Sequence, residues 1–347
     1  MAEPCKRIFN GASVYDYTIK GNSVAVVSDG SSVLGLGNIG AEAAIPVMEG
    51  KAVLFKEFAG IDAFPICISS QNPEEIIRTV KNIAPVFGGI NLEDIAAPNC
   101  FEIERKLQGV GIPVMHDDQH GTAIVVLAAL LNSAKVIGTG IGEMKIVING
   151  AGAAGTAIAN FLTCFGESGK GICSSAGDVI VCDRNGAIFS GRPDLGEHKK
   201  SLAKLTNRNK IKGSLADALE GADVFIGVSR GGLLRKEDIA KMAEKPAVFA
   251  LANPVPEIMP EEALRGGAAI VATGRSDFGN QVNNALVFPG VFRGLLDGRI
   301  EAVTNEMKIN AAYALAGIVK KPAKRHILPS IFDRHVVKVV AKAVQNS

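Results

Sequence analysis

Residues Lys145–Leu162 read KIVINGAGAAGTAIANFL. The strand-like run Lys145–Asn149 leads straight into Gly150-x-Gly152-x-x-Gly155, and an apolar helical pattern follows without a gap. That order is what a dinucleotide-binding turn requires. The first glycine closes a tight turn, the second lets the backbone approach a pyrophosphate, and the third lets helix and strand pack closely. The helix N-terminus faces the phosphates with N–H groups and the positive end of its dipole. Gly150, Ala151, Gly152, Ala153, Ala154 and Gly155 therefore form the candidate phosphate cradle. The next strand, DVIVCDRNG, ends in Asp183, an acid placed to bind ribose hydroxyls. The segment GESGKGICSSAG, read as an inserted loop, stretches its distance from Gly155. Asp183 favours NAD. Arg184 beside it would accommodate a 2′-phosphate, so NAD and NADP both stay open. ADVFIGVSRGGLL and AVFALANPVPE add two strands whose carboxyl ends, around Val228 and Asn253, face the same crevice.

Outward from this turn, short apolar runs alternate with helical patterns. Val24–Ser28, Phe64–Ile68, Gly89–Leu92 and Ile112–Met115 read as strands, as do Val179–Cys182, Val224–Val228, Val248–Leu251 and Ile270–Ala272. They are apolar on both faces, as in a parallel sheet covered by helices. Pro73–Ile83 and Pro98–Leu107 read as helices opening on proline. The β-α-β-α order predicts an α/β, doubly wound fold. Glycine-rich Ile137–Met144 marks a break between two domains. The expected division is 1–130 for an α/β substrate and metal domain, and 131–283 for a Rossmann-type dinucleotide domain. Residues 284–347, with helices over Asn305–Val319 and His335–Val344, are expected to pack back on the first.

The chain of 347 residues is 47% hydrophobic, with net charge +2, six scattered cysteines and no long basic run. That composition gives a full core and implies neither nucleic acid nor disorder. Gly121–Asn132, the longest apolar stretch, is too short to span a membrane, and the first residues carry no signal core. Unpaired cysteine spacing favours buried thiols in the cytoplasm over disulfides or zinc.

Two strands end in acidic pairs, Glu93-Asp94 and Asp117-Asp118. Three carboxylates converging at strand ends make a hard oxygen site suited to Mg²⁺ or Mn²⁺. The plainer alternative is helix capping, by Asp117 or Asp118 near Gly121 and by Asp94 near Pro98. His116 and His120 superficially resemble a zinc-hydrolase pair, but such a pair needs one face of an established helix, and His116 ends a strand. A second Gly-x-Gly-x-x-Gly, at Gly35, Gly37 and Gly40, lacks a following acid. It reads as a turn presenting N–H groups to a small anion.

Taken together, VYDYTIKGNSVAVVSDGSSVLGLGNIG, PVMEGKAVLFKEFAGIDAFPI, INLEDIAAPNCFEIE, HDDQHGTAIV, INGAGAAG, FALANPVPE and QVNNALVFPGVFRG resemble the short bacterial type of malic enzyme over nearly the whole chain. The resemblance implies oxidative decarboxylation of malate with NAD(P)⁺ and a divalent cation, in a homodimer or higher homo-oligomer. It places the metal ligands on Glu93, Asp94 and Asp118, the general base on Lys51, and substrate contacts on Asn253 and Asn284. On its own, Lys51 reads as a solvated helix lysine. Two positions depart from the family. The family's final acid is a tyrosine in a YTPGVAEP-like segment, of which MAEPCKRIF matches only the tail, and Tyr15 and Tyr17 belong to another motif. The alternative expectation is therefore a catalytically impaired cofactor-binding protein. Ser32 stands where larger members carry an arginine for malate's carboxylate, so Ser31 or Ser32 and the Gly35–Gly37 backbone are the expected substitutes.

Overall fold

The computed structural model describes residues 2–33, 35–164 and 175–347. In chain order the first elements are α1 (Ala2–Phe9), β1 (Ser23–Ser28), α2 (Gly40–Ala59), β2 (Asp62–Cys67), α3 (Pro73–Ile83), β3 (Gly89–Leu92), α4 (Asn99–Leu107), β4 (Val114–His116) and α5 (Asp117–Ile137). Then come β5 (Lys145–Asn149), α6 (Ala153–Leu162), β6 (Asp178–Asp183), β7 (Gly186–Ala187), α7 (Glu197–Leu205), α8 (Leu215–Leu219), β8 (Val224–Gly227), α9 (Lys236–Ile239), β9 (Ala247–Ala250), α10 (Pro260–Arg265) and β10 (Ile270–Thr273). Three helices follow, α11 (Phe288–Asp297), α12 (Asn305–Ile318) and α13 (His335–Gln345). The inserted loop read before β6 lies mostly outside the described residues.

The chain forms two compact units. One comprises Met1–Asp117, Phe288–Met307 and Val337–Ser347, the other Asp118–Val287 and Lys308–Val336. The first unit holds a parallel sheet in the order β2-β1-β3-β4. All six residues of β1 are buried, which its apolar sequence on both faces requires. From β1 the chain moves to β2 on one side and later to β3 on the other. The carboxyl ends of β1 and β3 therefore flank the topological switch point, where open α/β sheets bind ligands. Phe55 of α2 packs edge-on against Phe288 and Phe292 of α11, with centroids 4.7 and 5.4 Å away. α3 begins as its sequence predicts, with Pro73 in the first turn and the Asn72 side chain accepting from Glu74 N at 2.9 Å.

The second unit holds a sheet in the order β10-β9-β8-β5-β6-β7, parallel except for the β6–β7 hairpin. Its switch point lies between β5 and β8. Val147, Ile180, Phe225 and Val248 form part of its buried core. Asn132 of α5 donates to the carbonyls of Ala316 (2.9 Å) and Ile327 (2.8 Å), which ties the α12 region to this unit.

Two expectations are corrected. The helix expected near Gly121 begins at Asp117, and over 21 residues it is long and apolar enough to cross a membrane by length and composition. Of its most apolar window, 61% is buried, as befits a core helix that is apolar all round. Cysteine usage is also mixed. Cys5, Cys67, Cys100 and Cys182 are free, but Cys164 is disulfide-bonded.

Candidate active site

The acidic pairs sit where β3 and β4 end. Glu93 follows β3 and donates its N–H to Val27 O of β1 at 2.9 Å, and Ser32 N donates to Asp94 O at 2.9 Å. The turn after β1 is thereby drawn to the acids at the switch point. Asp94 has φ 53, a left-handed conformation that costs a non-glycine residue energy. One carboxylate oxygen from each of Glu93, Asp94 and Asp118 lies within 4.8 Å of the others. Asp118 is placed there by its immediate covalent link to β4 through Asp117. Glu93 and Asp94 are buried, at 6% and 5% exposure. All three donors are hard oxygens at chelating separation, so the set fits Mg²⁺ or Mn²⁺. The N-cap position of α4 is Pro98 rather than Asp94.

Lys51 is drawn into the same cluster. It is 7% exposed, in the middle of α2, rather than solvated. Its Nζ donates to Glu93 Oε1 at 2.8 Å and to Asp117 Oδ2, and lies 4.0 Å from the Phe288 ring centroid. Burial disfavours the ammonium, whereas the two carboxylates and the ring face favour it. Asn91 of β3, fully buried, donates from Nδ2 to Glu93 Oε2 at 2.8 Å, so both oxygens of Glu93 are oriented. Asp29, also buried, accepts from Ser31 N (2.9 Å) and Ser31 Oγ (2.5 Å) and shapes the turn that carries Ser32. Ser32 itself is exposed.

The histidines part company. His116 is fully buried at the end of β4, where burial pushes its pKa down, and its main-chain N–H donates to Glu104 Oε1 at 2.8 Å. His120 lies in the first turn of α5, with Lys308 Nζ 3.2 Å from its Nδ1. One on a strand and one on a helix, they do not form the zinc pair. In the second glycine motif, Val33 N donates to Gly37 O (2.9 Å) and Leu36 N to Val33 O (2.7 Å). Those two N–H groups serve the turn itself. Tyr15 stands elsewhere in the first unit, with the Arg299 guanidinium 5.5 Å from its ring centroid.

In the second unit the turn after β5 is closely built. Gly150 has φ 128, and a Cβ on Gly155 would stand 1.7 Å from Gly150 O. Only glycine permits that approach. The N-cap of α6 is Gly152, which makes no side-chain cap hydrogen bond, and an uncapped helix N-terminus suits an anion. Val228 N donates to Asn149 O at 2.9 Å beside this turn. Asp183 ends β6 as expected, but its Oδ2 already accepts from Arg192 (2.6 Å) and Lys199 (2.5 Å). Burial alone would raise its pKa, yet these hydrogen bonds hold it down at about 2. Arg184 is exposed, and the cations that face Asp183 are Arg192 and Lys199.

A family model described as the NAD-binding domain of malic enzyme matches residues 119–347, and one for the malic enzyme N-terminal domain matches 12–74 and 69–108. The chain belongs to the malic enzyme family. It is 54% identical to the bifunctional malic/malolactic enzyme of Bacillus subtilis (strain 168), over 99% of this chain and 83% of that protein. It is 53% identical to the NAD-dependent malic enzyme of Geobacillus stearothermophilus, over 95% of this chain and 68% of that protein. Among solved structures, the NAD-dependent malic enzyme of Thermotoga maritima superposes with TM-score 0.92 at 50% identity, over 100% of this chain and 89% of that one. Of the residues that the malic enzyme resemblance singles out, Lys51, Glu93, Asp94 and Asp118 come together. Asn253, exposed after β9, and Asn284, on a short turn before α11, both belong to the second unit. Asp117, Asn91, Asp29, Arg192 and Lys199 were not singled out. Of these only Asp117 carried a signal, as half of an acidic pair.

Proposed function

We propose that this chain oxidises malate to pyruvate and CO₂ with reduction of NAD⁺ or NADP⁺, in a reaction dependent on Mg²⁺ or Mn²⁺. The observation that carries the reading is Lys51 Nζ, buried and bonded to Glu93, within a cluster that includes Asp94 and Asp118. Glu93, Asp94 and Asp118 are the proposed metal ligands. The cation they hold would polarise the 2-hydroxyl of malate and later the ketone at the same carbon.

Lys51 is the proposed base, taking the hydroxyl proton at Nζ. Glu93 and Asp117 hold that ammonium in place, and engaging Glu93 elsewhere loosens the hold and frees the amine. Ser32 with the Gly35–Gly37 backbone, Asn253 and Asn284 are proposed to orient malate. Gly150–Gly155, Asp183, Arg184 and Val228 are proposed to seat the nicotinamide cofactor. The relatives, each named as an enzyme, give no support to an impaired cofactor-binding protein. We also propose a cytoplasmic homodimer or higher homo-oligomer.

The test is direct. Incubation with malate, Mn²⁺ and NAD⁺ or NADP⁺ is expected to yield reduced cofactor, pyruvate and CO₂ in equal amounts. Reduced cofactor no higher than the blank with either nucleotide sinks the proposal.

A further inference from the structure

Glu257 has no assigned role, yet it is fully buried at the carboxyl ends of β8 and β9. Its Oε1 accepts from Ser229 N at 3.1 Å and its Oε2 from Ala252 N at 3.0 Å. One carboxylate thus joins the loop after β8 to the loop after β9. Both oxygens accept main-chain N–H groups. Burial pushes its pKa up, and the N–H donors hold it back.

The contact extends to the dinucleotide turn. Ser229 Oγ accepts from Asn149 Nδ2 at 2.8 Å, and Asn149 immediately precedes Gly150. Main-chain bonds run alongside, Gly232 N to Pro256 O at 3.0 Å and Leu234 N to Glu257 O at 2.9 Å. A Cβ on Gly227 would stand 2.3 Å from Glu257 Cδ, so the last residue of β8 is shaped to the buried carboxylate. A carboxyl group this deep is costly unless it is hydrogen-bonded. The two loops it joins carry Val228 on one side and Asn253 on the other.

We infer that Glu257 is a positioning residue that fixes Val228 and Asn253 at the crest of the dinucleotide sheet. It acts through the main chain of Ser229 and Ala252 and touches neither cofactor nor substrate. The inference rests on the nicotinamide and malate reading above.

Glu257→Gln keeps the volume but turns an NH₂ group toward one of the two N–H donors. Its NADH or NADPH Kd, read by fluorescence where circular dichroism shows a native fold, is expected to rise about tenfold or more. Malate KM should rise with it, more than kcat falls. A variant with lowered Tm but Kd and KM within about twofold of wild type would overturn the inference, leaving a structural brace. If the variant does not fold, hydrogen exchange on the wild-type protein decides. Slow exchange at the Ser229 and Ala252 amides supports the inference, and exchange at loop rates overturns it. Wild-type protein that binds neither nucleotide and does not turn over malate refutes the underlying reading, and the exchange measurement stands apart from it.

Discussion

Lys51 Nζ lies 2.8 Å from Glu93 Oε1, so a proposed base and a proposed metal ligand share one hydrogen bond. Proton affinity at the lysine and cation affinity at the carboxylate are therefore linked, each opposing the other. Lys51→Ala is expected to lower kcat by about 10²–10⁴ while NADH binding persists. Steady-state assays and a fluorescence titration on the same preparation check this. An alanine variant within tenfold of wild-type kcat would remove Lys51 from the chemistry.

The acidic cluster predicts a metal requirement. Exhaustive chelation should abolish malate turnover, and Mn²⁺ or Mg²⁺ should restore it. Asp118→Asn and Glu93→Gln should each weaken Mn²⁺ binding by well over tenfold, measured by calorimetry or by the free Mn²⁺ signal in electron paramagnetic resonance. Unchanged Mn²⁺ affinity in both variants would place the cation elsewhere.

Asn91 touches the cluster only through Glu93 Oε2. Asn91→Ala should therefore weaken Mn²⁺ binding by about 10- to 100-fold, the usual effect of losing a partner that orients a ligand. The same titration with Asn91→Asp, which cannot donate to Glu93, should show no recovery.

At the dinucleotide turn, Gly155→Ala places a methyl group against Gly150 O. Loss of NADH and NADPH binding is expected, with a lower Tm. Nucleotide titration and thermal unfolding check it, and a variant with normal affinity would show that the turn adapts.

Asp183 gives a pH prediction. Its folded pKa of about 2 lies below its ordinary 3.8, so the Arg192 and Lys199 contacts stabilise the fold fully above about pH 4. That contribution fades as pH falls through about 2. In Asp183→Asn the stability gap to wild type should therefore be wide at pH 5 and narrow toward pH 2, read from urea midpoints. A gap that does not change with pH would mean the carboxylate is not held this way.

Much of the fold was legible because strands apolar on both faces and helices opening on Asn72-Pro73 declare themselves locally. The Gly150 turn was legible for the same reason, since strand, glycines and helix are contiguous. Lys51 was not. Its helix sequence says nothing of burial, which depends on Phe288 and Glu93 arriving from distant parts of the chain. Arg192 and Lys199 likewise reach Asp183 only after β6, β7 and α7 are folded. The pair Asp117-Asp118 was visible, but not its division of labour. Successive helix positions point about 100° apart, so Asp117 turns to Lys51 while Asp118 joins Glu93 and Asp94.

Phe55 completes its aromatic contacts only with Phe288 and Phe292, and the first unit draws on three separate stretches of chain. During synthesis from the amino terminus, β1 to β4 must therefore wait, with that core face open, until α11 has left the ribosome. The second unit is also incomplete at that point, because it draws on Lys308–Val336, whose Ala316 and Ile327 carbonyls Asn132 must reach. Nascent chains arrested before Phe288 should accordingly be sensitive to protease around α2, and their release as truncated products would favour aggregation over assembly.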